Sequence, residues 1–339
     1  MPPTTLPGSV DSKNKFEDLS GVDIAAYENP YDALIEACNN DPAGIQNRYA
    51  THREARNEQQ KAKILASDFP GLIIDPVLQK LEDPTIEPGY VDPRNCLVFW
   101  ARPPAHIKSI LLRDHFFTEN HTSHILPLPL LTPTQDLWLM PISNLHLTAL
   151  EITHSLTSPE ITSIVSHLGP ETITTMTDHT YTHRARLIKP TLSYDSAALA
   201  LSFLPAAGES LTSAVNPSAR NPRSVQDDAF TYHHLRKELF AIARSTGVSV
   251  DSRYVVPSSH ITVGRFLTQA DHDTPEKRRK WIELIEEING WLRDEYWPKE
   301  GGERNEEGEW VVGQEKGLDC REGTLWYGGG KTIRLGKGF

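Results

Sequence analysis

The sequence predicts an α+β protein whose strands and helices mix without strict alternation. Three observations carry this reading. Short apolar runs bounded by proline, glycine or aspartate recur along the chain, as at Cys96–Trp100 and Leu187–Phe203, and mark strands. After Thr274-Pro275-Glu276, the residues Trp281, Leu284, Ile285, Ile288, Trp291 and Leu292 recur at three- and four-residue steps, which is the apolar face of a helix. Two strand-like segments also echo each other. Leu137 to Met140 leads through Pro141 to His146-Leu147-Thr148, and Tyr254 to Val256 leads through Pro257 to His260-Ile261-Thr262.

The elements follow in order. Residues 1 to about 20, which open on a Pro-, Thr- and Ser-rich stretch, read as a disordered lead. Residues 21–94 form an N-terminal helical extension and linker. Within it, Gly44 to Ser67 is polar and helix-prone, which predicts a solvated helix outside the main core. Asp83 to Arg94 carries Pro84, Pro88 and Pro93 and reads as the linker. The main domain spans 95–339. It opens with a buried strand at Cys96–Trp100, followed by helix-prone sequence to about Phe117 and a loop to Gln135. Leu137 to Ile152 predicts two strands joined at Pro141 to Leu145, and Ser158-Pro159-Glu160 opens a helix. Two strands meeting near Tyr194-Asp195 follow, then a helix from about Asp227 to Ser245 stopped by Gly247. The second echo spans Ser252 to Phe266, and Pro298 ends the helix that Thr274 opens. Residues 299–321 read as an acidic loop. A last hairpin turns at Gly328-Gly329-Gly330, between Leu325-Trp326-Tyr327 and Thr332-Ile333-Arg334-Leu335.

Composition limits the function. In 339 residues, 45 acidic side chains against 34 basic give a net charge of −11. Long nucleic acids are gripped by basic faces, so an acidic whole argues against them, while a local basic pocket could still hold one phosphate. Cys38, Cys96 and Cys320 are few, odd in number and without metal-type spacing, as free thiols in a reducing compartment are. Met1 to Ser12 has no apolar core of a signal peptide, and no window approaches the roughly 18 apolar residues of a membrane span. The expectation is a cytoplasmic or nuclear protein that does not enter a membrane.

The echoed tripeptides carry the chemistry. Successive side chains on a strand point to opposite faces, so the His and Thr of each His-x-Thr share one face. Two such strands side by side would surround one cavity with two imidazoles and two hydroxyls. Histidine, with an ordinary pKa of about 6.5, can give or take a proton at neutral pH. Hydrolysis of a phosphodiester needs a base to activate water and an acid to protonate the departing oxygen. His146 and His260 supply that pair, and Thr148 and Thr262 can donate to non-bridging oxygens. The pattern calls for no metal and no cofactor. The bland alternative is two buried strands whose histidines are hydrogen-bonded core members.

Trp138-Leu139-Met140-Pro141, His146-Leu147-Thr148-Ala149-Leu150 and His260-Ile261-Thr262-Val263-Gly264-Arg265 resemble the motifs of the two-histidine phosphoesterase superfamily, which includes the LigT-like RNA ligase/cyclic nucleotide phosphodiesterases. The resemblance covers roughly Asn95 to Phe339. It implies a bilobal fold with two antiparallel-rich sheets, pseudo-twofold symmetry, outer helices and a site in the cleft between lobes. It also implies hydrolysis of ribonucleoside 2′,3′-cyclic phosphates, or of RNA ends carrying them, with His146 and His260 as the acid–base pair and Thr148 and Thr262 as phosphate ligands. We assign water activation to His260 and protonation of the leaving ribose oxygen to His146, roles that reverse if the opposite ester bond is cut. The small nucleotide or RNA end is then the substrate, and the sequence names no protein partner. Hydrolysis of a linear 2′–5′ or 3′-end phosphodiester is the related alternative, and a non-catalytic nucleotide-binding module is the rival from another class.

Other residues carry weaker signals. Trp326 and Tyr327 precede a glycine turn and could stack on a base. Arg265 lies an odd number of positions after His260, so simple alternation turns it away from the cavity into a structural salt bridge, unless a bulge re-aims it. Tyr181 and His183 sit in a polar segment with at most a weak substrate-facing role. Gly330-Lys331-Thr332 is not a P-loop, because Leu325 stands where that motif needs glycine. His121 with His124, and His179 with His183, read as surface histidines rather than metal ligands. Cys96 reads as a small buried hydrophobe.

Overall fold

Burial on both faces decides which strands sit in the middle of the sheet. A computed structural model describes residues 17–112, 137–209, 224–299 and 306–339. Strands β1 (Asn95–Ala101) and β3 (Leu147–Leu156) are buried along almost their whole length; they lie centrally and pair antiparallel. The short β2 (Leu137–Leu139) pairs with one end of the strand that follows the second echo. Across the sheet the order is the two-residue β7 (Trp310–Val311), β4 (Arg186–Tyr194), β5 (Ala198–Pro205), β6 (Ser259–Phe266), β3, β1, β8 (Leu318–Gly323) and the largely exposed β9 (Lys331–Leu335). The protein is mixed α+β, and the sheet curls into a half-barrel.

Where the resemblance implies two sheets, the nine described strands join into one. The join is narrow. β3 and β6 share a single ladder pair, Leu147 with Ile261, while β2 covers Gly264 to Phe266 of the same strand. Pro141 has no N–H to extend β2. The 3₁₀ turn Ile142–Asn144 then carries the chain on to β3, so β2 and β3 meet β6 end to end. Four strands lie on either side of this seam.

Seven α-helices occur among the described residues: α1 (Asp32–Ala37), α2 (Pro42–Leu65), α3 (Pro76–Glu82), α4 (Ala105–Leu112), α5 (Ser158–Asp178), α6 (Tyr232–Ser245) and α7 (Pro275–Tyr296). α5 starts at a capping box in which Thr157 and Glu160 satisfy each other's ends, one residue before the cap that the sequence suggests. It kinks at Gly169-Pro170. α6 is capped by Thr231 and ends before Gly247 at φ 85°; α7 is capped by Thr274. α5 packs on β1, β8 and β9, α6 on β3, and α7 on β4. No described helix is long and apolar enough to cross a membrane.

Three expectations are corrected. The helix expected in solvent is α2, and it lies on β4 and β5 with Ile45, Tyr49 and Ile64 in the main core. Its stripe was hidden because the buried positions between them are His52, Arg53 and Gln60. Arg53 spends its charge on a backbone carbonyl, that of Lys189 at 2.8 Å, and its stem packs. The extension is further tied in through His233 of α6, which donates to the Tyr31 carbonyl at 2.9 Å and so presents Nδ1 as acceptor for the Tyr49 hydroxyl at 3.0 Å. The expected acidic loop 299–321 contains β7 and most of β8, whose Leu318 and Cys320 are fully buried. The surrounding acids and glycines masked this short alternation. The last hairpin therefore pairs β8 with β9, and Leu325-Trp326-Tyr327 lies in the connecting loop. Of the expected lead, residues 1–16 lie outside the described residues, as do His121 and His124; Ser20 is buried, and the Leu19 N–H donates to His52 Nδ1 at 3.0 Å.

Candidate active site at the strand seam

The single β3–β6 pair fixes the site. Leu147 and Ile261, opposite each other, are 1% and 0% exposed and point into the core. One step to either side, the antiparallel register sets His146 beside Thr262 and Thr148 beside His260 on the other face. All four are half-buried between neighbours that are buried. They line one cavity, together with Trp100, Arg253, Arg265 and Trp326. The two tripeptides thus meet crosswise, each imidazole next to the other strand's hydroxyl.

Each imidazole is anchored through Nδ1. His146 donates Nδ1–H to the Asn144 carbonyl at 2.7 Å, so its neutral form carries the lone pair on Nε2. Its ring stacks on Trp100 at 3.7 Å and 17°. His260 pairs Nδ1 with the Ser258 hydroxyl at 2.9 Å. α6 braces both strands: the Tyr232 hydroxyl donates to the Thr148 carbonyl at 2.7 Å, and Arg236 donates to the Val256 carbonyl at 2.9 Å, just before Pro257.

Burial, as the largest cause, pushes both imidazoles down from their ordinary range, His146 to about 3 and His260 to about 4. Guanidinium groups push the same way, Arg102 and Arg321 on His146 and Arg236 and Arg265 on His260. The Asn144 carbonyl and the Asp195 carboxylate partly oppose them. Both are neutral at pH 7. A bound anion reverses the balance, since it favours the charged imidazolium.

Arg265 departs from simple alternation. Opposite β5, Leu199 faces Gly264 but Ala200 faces Thr262, so β6 carries one extra residue there. That bulge resets the parity and turns Arg265 onto the face of His260 and Thr262. Gly264 permits it: a Cβ there would stand 3.1 Å from the Trp138 carbonyl oxygen of β2. Arg265 makes no ion pair among the described residues, and its Nε has no hydrogen-bond acceptor. The expected structural salt bridge is therefore absent among them. The bulge was the feature the sequence left open; Gly264 inside the strand was its only local sign.

The neighbouring charges are matched. Arg253 grips Glu151 through both carboxylate oxygens at 3.0 and 2.8 Å. Arg94 does the same with Asp92 at 2.8 and 2.9 Å, and Arg102 meets Asp319 at 3.0 Å. Two donors in the wall, Arg265 Nε and Trp326 Nε1, are buried and have no acceptor among the described residues.

The expected base-stacking pair divides. Trp326 lines the cavity, but Arg253 and Arg94 lie 4.2 and 4.6 Å from its ring centroid, so the indole is flanked by cations rather than open for stacking. Tyr327 does not line the cavity. Its hydroxyl donates to Asp75 and accepts from Arg94 at 3.1 Å, and its ring meets Trp138 edge-on, so it ties the β8–β9 loop to the N-terminal extension. Tyr181 and His183 lie away from the cavity lining. His179, His183 and Glu238 could present three metal-ligand atoms within 4.8 Å. The two imidazoles are stacked parallel, 4.2 Å apart and 2° from coplanar, so their in-plane lone pairs do not converge on one ion. Cys96 forms part of the cavity wall and is 3% exposed, and burial raises its thiol to about 12, so it is inert.

No protein-family model matches the chain, and no curated protein matches it.

Proposed function

We propose that the protein is a metal-independent phosphodiesterase that opens ribonucleoside 2′,3′-cyclic phosphates, or RNA ends carrying them. The observation that carries this reading is the crosswise pairing of His146 with Thr262 and of His260 with Thr148 about one ladder pair. A phosphate seated over the seam has an imidazole at each end of its axis and a hydroxyl beside each imidazole. Arg265 and the two Thr hydroxyls would take the charge on the non-bridging oxygens. His260 removes a proton from water as the water oxygen bonds to phosphorus. The ring P–O bond breaks, and protonated His146 gives its Nε2 proton to the departing ribose oxygen. The product is a nucleoside monophosphate, and the proton taken by His260 restores the pair. Four strands on either side of the seam support a bilobal two-histidine phosphoesterase architecture.

A second reading, hydrolysis of a linear phosphodiester, is favoured by a larger chamber that opens on the far side of His260. Turnover of adenosine 2′,3′-cyclic phosphate in EDTA tests the main reading. Wild type turns over, and His146→Ala and His260→Ala each lose about 10²–10⁴-fold. Binding without turnover by wild type makes the protein a nucleotide-binding module, and loss of activity in EDTA makes it a metallohydrolase.

A further inference from the structure

The two imidazoles of the seam differ in what holds their second nitrogen. His146 gives its Nδ1–H to a backbone carbonyl, that of Asn144, which can only accept. This locks the neutral ring with its lone pair on Nε2. His260 meets the Ser258 hydroxyl instead, and a hydroxyl can accept from Nδ1–H or donate to a bare Nδ1. Only the first arrangement leaves Nε2 free to take a proton from water. In the second, Nε2 carries the hydrogen and His260 is no base.

The chain before β6 holds that hydroxyl in place. Ser258 stands two positions before His260, and its N–H donates to the Val256 carbonyl at 2.8 Å, across Pro257. The same carbonyl accepts from Arg236 of α6. Arg236 is 1% exposed and pairs with no carboxylate among the described residues; the rings of Tyr31 and Tyr232 lie 4.6 and 5.8 Å from its guanidinium carbon. Burying a cation without a counter-charge is costly, and this one pins the turn that carries Ser258. Ser259, the next residue, spends its hydroxyl on the Phe203 carbonyl at 2.7 Å in the core. Ser258 instead lines the larger chamber beneath α2, about 140 Å³, in whose wall His260 also stands. It does not line the seam cavity, where the phosphate would sit. The chamber has room for water, so Ser258 can give away its own proton while its oxygen accepts from Nδ1–H.

We infer that Ser258 is a positioning residue: its oxygen accepts from Nδ1–H and so holds His260 in the tautomer whose Nε2 can deprotonate the attacking water. This rests on the phosphodiesterase reading, in which His260 is the base. The water keeps its place beside Nε2, because Ser258 acts from the other nitrogen of the ring. As the water oxygen bonds to phosphorus, its proton passes to Nε2 while Nδ1 keeps its own hydrogen. The Ser258 oxygen then accepts from an imidazolium, a stronger bond that favours the charged form. His146 needs no such helper, since a carbonyl has one role only.

Nitrogen NMR of the full-length protein, ¹⁵N-labelled on histidine, reads the tautomers at pH 7.5, with His146→Gln and His260→Gln assigning the signals. In wild type the His260 proton should sit on Nδ1, as in His146. In Ser258→Ala it should move in large part to Nε2, and Ser258→Thr, which keeps the hydroxyl, should hold it on Nδ1. On adenosine 2′,3′-cyclic phosphate, kcat should fall about tenfold in Ser258→Ala, the loss of one hydrogen bond, with KM unchanged. Ser258→Thr should recover most of that loss. A wild-type His260 with its proton on Nε2 overturns the inference, as does an alanine variant with unaltered kcat. A lowered kcat with the tautomer unmoved makes Ser258 merely structural and overturns it too. If wild type hydrolyses nothing, the phosphodiesterase reading falls by itself, and the spectra of wild type and Ser258→Ala alone decide whether Ser258 sets the tautomer.

Discussion

The two depressed imidazoles make the pH dependence of turnover the sharpest test of paired proton transfer. Catalysis needs one protonated and one neutral histidine, and the free protein holds them at about 3 and about 4. Above both values the singly protonated form falls about tenfold per pH unit. Because kcat/KM reports the free enzyme, its logarithm should fall with a slope of about −1 from pH 5 to pH 8. The kcat limb lies elsewhere. A diester anion about 4 Å from an imidazolium, at an effective dielectric constant of ~20, contributes about 4 kcal/mol. At about 1.4 kcal/mol per unit, this raises the imidazole pKa by roughly 3, into the range of about 6–7 in the complex. Steady-state kinetics on adenosine 2′,3′-cyclic phosphate from pH 4.5 to 8.5 should therefore show kcat centred near neutrality while kcat/KM keeps climbing toward acid. The pair titrates as one coupled unit, so the limbs belong to both histidines. A kcat/KM that is flat from pH 5 to pH 8 refutes the mechanism, whatever the activity.

Further outcomes follow from single residues. Arg265→Gln should lower kcat/KM by about 10–100-fold, the cost of one hydrogen bond to a charged group, with little change in melting temperature; an effect on stability alone would return Arg265 to a structural role. Tyr49→Ala should cost about 3–5 kcal/mol in urea unfolding, and Tyr49→Phe about 1 kcal/mol for the lost bond to His233. A loss under about 1 kcal/mol for the alanine variant would mean that α2 is peripheral after all. His233, 1% exposed, is held down at about 3, mainly by burial. Its folded pKa lies below the unfolded value, so its stabilising contribution is complete above about pH 6.5 and is lost as pH falls, by about 1.4 kcal/mol at pH 5.5. Thermal melts of wild type and His233→Gln at pH 7.5 and 5.5 measure this, and an equal drop in both would assign the acid sensitivity to other groups.

The sequence by itself determined the α+β class, most element boundaries and the pairing of His with Thr on one face. These depend on local rules: residues two apart on a strand share a face, Thr-Pro-Glu opens α7, and Gly247 follows α6. What the sequence could not determine lies in long-range contacts. The crosswise neighbours His146–Thr262 and Thr148–His260 come from a register between strands far apart in the chain, set by one pair, Leu147 with Ile261. The aim of Arg265 depends on an extra residue in β6 that exists only relative to β5. Tyr327 reads as a site residue because its aromatic character shows in sequence, whereas its partnership with Asp75 and Arg94 does not. α2 looked solvated because a buried arginine and a surface arginine are spelled alike; the Lys189 carbonyl that accepts from Arg53 is 136 positions away. Period and capping are properties of a few neighbouring residues, while register, bulges and buried polar partners are properties of the packed whole.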